Sequence, residues 1–256
     1  MRVLAFFAHP DDETILIGGT LALLARLGAE VHYLIATRGE GGEVGSPPVC
    51  ERSQLGLVRS RELECAVKAL GGASLTFMDY IDPLVGPDDE LYPFAEDTAE
   101  VQARLARKAD RLRPDVLITH GSNGEYGHPG HLQVYQAARN FIVQRMPREP
   151  LWYTVNAAFP DHPNPHGLNE DGPAHLIIDV TAALEQKTQA ALCHRSQHAL
   201  FVRRRSKEAG RQLSVPEVVR NVESLHRAWP PVINGRLDDI LAWLLLERAG
   251  ARRGEP

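Results

Sequence analysis

The stretch FFAHPDDETILIGGT, residues 6–20, begins as an apolar strand, turns through a proline and continues as a helix. At the seam stand His9, Asp11, Asp12 and Glu13, more polarity than a strand-to-helix turn requires. Two local explanations compete. Acids in a first helical turn favour the helix dipole, and an aspartate there can cap it. The same cluster can instead hold a cation, and the rest of the chain has to decide between them.

The chain has 256 residues, 43% hydrophobic and 24% charged, enough for one domain with a sizeable core. A net charge of −5 gives no electrostatic footprint for nucleic acid. No basic amphipathic stretch points to a membrane surface, and the longest uncharged apolar run, residues 15–25, is broken by Gly18 and Gly19. The opening MRVLAFFAHP lacks the long apolar core of a signal peptide, so a cytoplasmic location is expected. Cys50, Cys65 and Cys193 are odd in number and widely spaced; reduced thiols, with no disulfide framework or metal pair, are the expectation.

Apolar strands alternate with helical periodicity through the first two thirds. Strands are predicted at 3–8, 31–36, 75–78, 116–119 and 151–155, with helices at 17–27, 57–70, 98–112 and 129–146. Pro129 at the first helical position loses nothing by lacking an N–H. This alternation predicts an α/β fold, a Rossmann-like three-layer sandwich with a mainly parallel sheet. One domain is expected over 1–256, with a core to about residue 156 and a C-terminal extension over 157–256. In the extension, 159–173 reads as a surface loop, 176–180 as a strand and the remainder as mostly helical; ARRGEP at 251–256 should fray.

In such sheets ligands bind at the carboxyl ends of the strands, where the strand order reverses. Two polar loops emerge there: AHPDDE after the first strand and THGSNGEYGHPGH, 119–131, after the fourth. With a strand order of 3-2-1-4 they face one another across one crevice and pool His9, Asp11, Asp12, His128 and His131. Two imidazoles and a carboxylate suit a hydrolytic zinc site with a position open, and a free carboxylate can serve as general base. Each loop alone is explained as well by helix capping; together, at adjacent strand ends, they favour the cation.

AHPDDE followed by GGTLA, then TRGEGGE at 37–43 and YGHPGH at 126–131, resembles the LmbE/PIG-L family of zinc-dependent N-deacetylases. The resemblance runs from about Arg2 to Gln144, with a fainter echo in KTQAALCHRSQ at 187–197. It implies one Zn2+ per chain, or another divalent metal, held by His9, Asp12 and His131. It further implies Asp11 as the base that activates the attacking water. His128 would stabilise the oxyanion or protonate the leaving amine, and Tyr126 would polarise the acetyl carbonyl. The implied substrate is an N-acetylglucosamine-type amino sugar or its conjugate, in a protein compatible with a homo-oligomer.

One position departs from the family pattern. Gly130 stands where HPDH would place an aspartate, so a carboxylate that could raise the pKa of a neighbouring histidine is missing. Arg59, Glu40 and Asp79 are candidate substrate contacts, although a helix charge paired with Glu62, a glycine-rich turn and a strand-end cap explain them as well. Lys187, His194, Ser196 and Gln197 are expected near the rim, and His120 is a spare ligand. Two rivals remain: a metal-dependent amidase cleaving a thiol or sugar conjugate, and a non-catalytic sugar-binding module, which has no need of Asp11.

Overall fold

The computed structural model describes residues 1–146 and 149–254. In chain order the elements are β1 (Arg2–Phe7), α1 (Asp12–Arg26), β2 (Glu30–Thr37), α2 (Leu55–Ala69), β3 (Ser74–Tyr80), α3 (Thr98–Leu112) and β4 (Val116–Thr119). There follow a single turn α4 (Gly124–Gly127), α5 (Pro129–Arg145), β5 (Leu151–Val155), β6 (Ala157–Ala158), β7 (Asn169–Pro173) and β8 (Leu176–Asp179). The chain closes with α6 (Leu184–Cys193), α7 (His198–Ala209), α8 (Val215–Val218), β9 (Val222–Trp229), α9 (Ile240–Arg248) and β10 (Arg252–Arg253).

Eight strands form one sheet in the order β10-β8-β9-β5-β4-β1-β2-β3. The five from β3 to β5 are parallel, and the expected order 3-2-1-4 is present. Val3 to Phe7 are fully buried, because helices cover both faces of the sheet and leave no solvent side for a polar residue. Residues of α1, α2 and α9 pack one face; α3 and α5 pack the other. Phe6 pairs with Thr119, so β1 and β4 end side by side and their loops meet where the strand order reverses.

The extension departs from its mostly helical reading chiefly at β9. Val222–Trp229 inserts antiparallel between β5 and β8. Its sequence, VESLHRAW, hides the strand because two of its charged residues are buried and paired. Glu223 accepts from the backbone N–H of Gly19 and Thr20 and lies 2.7 Å from Lys187 Nζ. That ion pair ties α6 and β9 to α1, which accounts for the buried Lys187 in the echo motif. Gly19 is needed at the same contact, since a Cβ there would come within 2.5 Å of the Val180 side chain.

Three further expectations change. Cys65 and Cys193 form a disulfide between α2 and the end of α6, although 128 residues separate them in sequence; Cys50 is free. Spacing cannot reveal such a pair, because only the packing of α6 on α2 brings the two together. At the C-terminus Arg252 and Arg253 pair with β8 rather than fraying, and the last two residues lie outside the described residues. Within 159–173, β7 pairs with β6, and Asn169 is buried.

Candidate active site

The two loops meet as expected, with Asp12 at the centre. Its Oδ2 lies 3.3 Å from His9 Nδ1, and its Oδ1 lies 3.3 Å from His131 Nε2. The His9 N–H also donates to Asp12 Oδ2 at 2.8 Å, which fixes the carboxylate at the start of α1. Imidazole nitrogens of His9, His128 and His131 converge, and so do Asp12, His120 and His131. These five differ in their hydrogen bonds.

His131 Nδ1 lies 2.7 Å from Glu125 Oε2, so its proton sits on Nδ1 and its Nε2 lone pair faces Asp12. That Nε2 is buried and has no hydrogen-bond partner among the described residues. A ring nitrogen opposite a carboxylate oxygen is an arrangement that a proton or a metal cation completes. His120 also gives its Nδ1 to Glu125, at 2.8 Å, but its Nε2 already accepts the Ala8 N–H at 3.1 Å. Its lone pair is spent, and it acts as a brace. In His128, Nδ1 accepts the Gly130 N–H at 3.1 Å and caps α5, which leaves Nε2–H as a donor. His9, Asp12 and His131, where Asp12 faces each imidazole across 3.3 Å, could hold a divalent metal.

The charge balance points the same way. Burial pulls His9 down, but Asp82 and Asp12 outweigh it and raise its pKa to about 9. Burial likewise opposes, and Asp12 and Glu125 outweigh it, in raising His131 to about 10. Asp12 is pushed well below the usual carboxylate range, its burial overcome by His131 and His120. The carboxylates thus demand positive charge, which a metal supplies and which protonated imidazoles otherwise carry. His128 goes the other way: burial and the neighbouring His9 and His131 lower its pKa to about 3, so it is neutral at physiological pH.

Asp11 does not join this set. Burial raises its pKa to about 6, against the pull of Arg59, whose Nη2 is 3.1 Å from Asp11 Oδ2. A carboxylate poised near neutrality, beside a metal site, has the properties of a general base. Its backbone is strained at φ 112°. Glu13 holds it there: Oε2 accepts the Asp11 N–H at 2.9 Å, while Oε1 meets Thr14 Oγ1 at 2.5 Å and His194 Nε2 at 3.1 Å. Glu13, Thr14 and His194 are all fully buried.

Of these groups, His9, Asp11, Asp12 and His128 line a cleft of about 800 Å³. Arg59 lines it, with Nη1 and Nη2 committed to Gly39 O, Pro10 O and Asp11. The glycines of TRGEGGE make room for that guanidinium: a Cβ on Gly39 or Gly42 would come within 2.3 Å of it. The alternative Arg59–Glu62 pair is absent, because Glu62 accepts from the N–H and Oγ of Ser196. Tyr126 is on the cleft, edge-on to His128 and His131. Asp79 is outside it, exposed and bound to Arg38 at 2.6 Å. Glu40 stands behind the wall, accepting from the N–H of Asp82 at 3.0 Å. Gln197 reaches the cleft, while Lys187, His194 and Ser196 are buried behind it.

Sequence reasoning missed Glu125 and Asp82. Glu125 lies inside the quoted THGSNGEYGHPGH, but it reaches both histidines only because its φ is 63°, and no regular periodicity reports that. Asp82 Oδ1 is 3.3 Å from His9 Nε2, and its Oδ2 accepts from Gly41 N–H. Asp79 looked equivalent in sequence, and the direction of the loop decides between them. A Cβ at Gly130 would come within 3.2 Å of the His9 ring.

The PIG-L family model, described as GlcNAc-PI de-N-acetylase, matches residues 4–142, from β1 through most of α5. A 1D-myo-inositol 2-acetamido-2-deoxy-alpha-D-glucopyranoside deacetylase of Rhodococcus erythropolis is 33% identical over 237 residues, covering 77% of this chain and 81% of that one. Two solved structures share the fold. An N,N'-diacetylchitobiose deacetylase from Pyrococcus horikoshii aligns with TM-score 0.61 and 20% identity over 88% of this chain and 82% of its own. A 4-carboxy-2-hydroxymuconate hydratase from Pseudomonas putida aligns with TM-score 0.59 and 22% identity over 92% and 99%. The fold therefore carries more than one reaction, and function has to be argued from the site. With both loops of that site inside the matched segment, the chain belongs to the PIG-L (GlcNAc-PI de-N-acetylase) family.

Proposed function

We propose that this protein is a zinc-dependent hydrolase that removes the acetyl group from an N-acetylated amino sugar or its conjugate. The observation that carries the proposal is the pairing of adjacent acids in different states. Asp12 faces Nε2 of His131, while Asp11, beside it, is raised by burial to a pKa near 6 against the pull of Arg59. The sugar-binding alternative gives the second acid no task. Deacetylase relatives that act on an acetamido sugar support the choice of substrate.

His9, Asp12 and His131 would hold the metal, which when bound lowers the pKa of water and polarises a carbonyl. Asp11 takes a proton from the attacking water as the new C–O bond forms. His128 Nε2–H and the Tyr126 hydroxyl donate to the oxygen on which charge develops. Asp11 then passes its proton to the departing nitrogen as the C–N bond breaks, which leaves a free amine and acetate. The neutral state of His128 suits it to donate a hydrogen bond rather than a proton.

The test is product analysis by NMR on a panel of N-acetylglucosaminides and thiol–sugar amides. Acetate appearing with free amine is expected. Release of a larger acid, with the acetamide intact, would replace the proposal with the amidase alternative.

A further inference from the structure

Part of the cleft lining beyond His9 is apolar, with Asp89 and Arg203 as charged neighbours of it. Beyond Asp82, which touches His9, the chain runs outward through Pro83, Leu84 and Val85, and after a turn it returns along the cleft at Leu91 and Tyr92. Leu200, from α7, adds to the same lining. Leu84 is 61% exposed, Val85 48%, Leu200 44% and Tyr92 39%. Single exposed apolar side chains occur on any surface and need no explanation, but several on one cleft mark a binding groove.

This loop is built to hold them out. Asp82 is anchored at both its N–H and its Oδ2 by the 40–41 segment. Gly41 packs so closely on Pro83 that a Cβ would overlap its carbonyl oxygen. Gly86 N–H donates to Glu90 O at 2.8 Å and the Tyr92 hydroxyl to Glu90 Oε2 at 2.6 Å, which close the turn and fix the ring. The polar part of the cleft is suited to an acetamide and sugar hydroxyls. The apolar part offers such groups little and would be solvated at a cost unless something apolar covers it.

We infer that the natural substrate carries, beyond the acetamido sugar, an alkyl or aromatic substituent that packs on Leu84, Val85, Leu91, Tyr92 and Leu200. This rests on the deacetylase reading above and extends it to the class of substrate. The substituent can be joined in two ways, as an aglycone or as an N-acyl chain longer than acetyl, and the two arms of the test separate them.

The first arm compares kcat/KM for acetate release from methyl, hexyl and phenyl N-acetylglucosaminides. The second compares acid release from methyl glucosaminide acylated with acetyl or hexanoyl. A gain of at least about tenfold with the apolar group is expected in one arm, since each buried methylene is worth about three- to fourfold. In the Leu84→Ser, Tyr92→Ser double variant the ratio of apolar to short substrate should fall towards one. Dissociation constants of hexyl and methyl glucosaminide for the zinc-loaded protein, by calorimetry, give a second readout that needs no turnover. Flat ratios in both arms and in binding overturn the inference; acetate from the methyl glycoside would then leave the deacetylase reading intact. A hexyl preference in binding with no acid released from any substrate would support the apolar subsite and sink the deacetylase reading instead.

Discussion

Glu125 Oε2 lies 2.7 Å from His131 Nδ1, and that contact decides which nitrogen of His131 is free for a cation. The same carboxylate orients His120, and its Oε1 accepts from the Gly121 N–H and from Asn169 Nδ2. A residue at φ 63° costs about 1–3 kcal/mol, which the four contacts around it offset. Glu125→Gln keeps the shape but removes the charge. Zinc affinity, measured by competition with a chromophoric chelator, should fall about 10- to 100-fold. Unchanged affinity would mean that Glu125 is only a brace for its loop.

The adjacent acids should separate cleanly. Asp12→Ala removes a ligand and should lower metal content. Asp11→Asn should keep the metal and lose kcat by about 10²-fold or more, the size of a general-base contribution. Metal analysis beside initial rates checks both, and an Asp11→Asn protein that no longer holds metal would reverse the assignment.

The pH profile follows from the charge beside Asp11. The base must be ionised, so kcat/KM should rise with pH and level off above the pKa of Asp11, which is about 6 before any metal adds its own downward pull. Arg59 lowers that pKa, so Arg59→Gln, in the same metal state, should move the acid limb upward by about 1 unit. A limb that stays in place in this variant would remove Asp11 as the titrating base.

His194 acts at one remove, through Glu13, on the backbone of Asp11. His194→Leu should therefore reduce kcat by about ten- to a hundredfold while leaving KM and metal content near their wild-type values, because a small misplacement of a base is costly. His194→Gln, which can still donate to Glu13, should recover most of the rate. Equal losses in both variants, accompanied by a lowered melting temperature, would reduce the contact to a structural one.

Much of this was legible in the sequence, for identifiable reasons. The parallel half of the sheet announced itself because its strands are apolar on both faces and each is followed by a helix with clear stops. The strand order made two polar loops adjacent and so gathered His9, Asp11, Asp12, His128 and His131; the choice of His9, Asp12 and His131 among them came from the resemblance to the LmbE/PIG-L motifs. Glu125 and Asp82 could not be named, because each reaches the site through a local backbone turn. Val222–Trp229 was hidden by its buried ion pairs, and Cys65–Cys193 by a contact that exists only after α6 has packed on α2. Arg59 was noticed for the substrate, yet its guanidinium is spent largely on Asp11 and the neighbouring carbonyls.

The most direct measurement is a zinc titration of the chelator-stripped protein, following acetate release from an N-acetylglucosaminide. The stripped protein should keep its far-UV circular dichroism, because the sheet and both helical layers are complete without the ion. It should also be inactive, and activity should return in proportion to added zinc up to one equivalent per chain. Full acetate release from the stripped protein, or none after one zinc has bound, would contradict a metal held by His9, Asp12 and His131 as the centre of the chemistry.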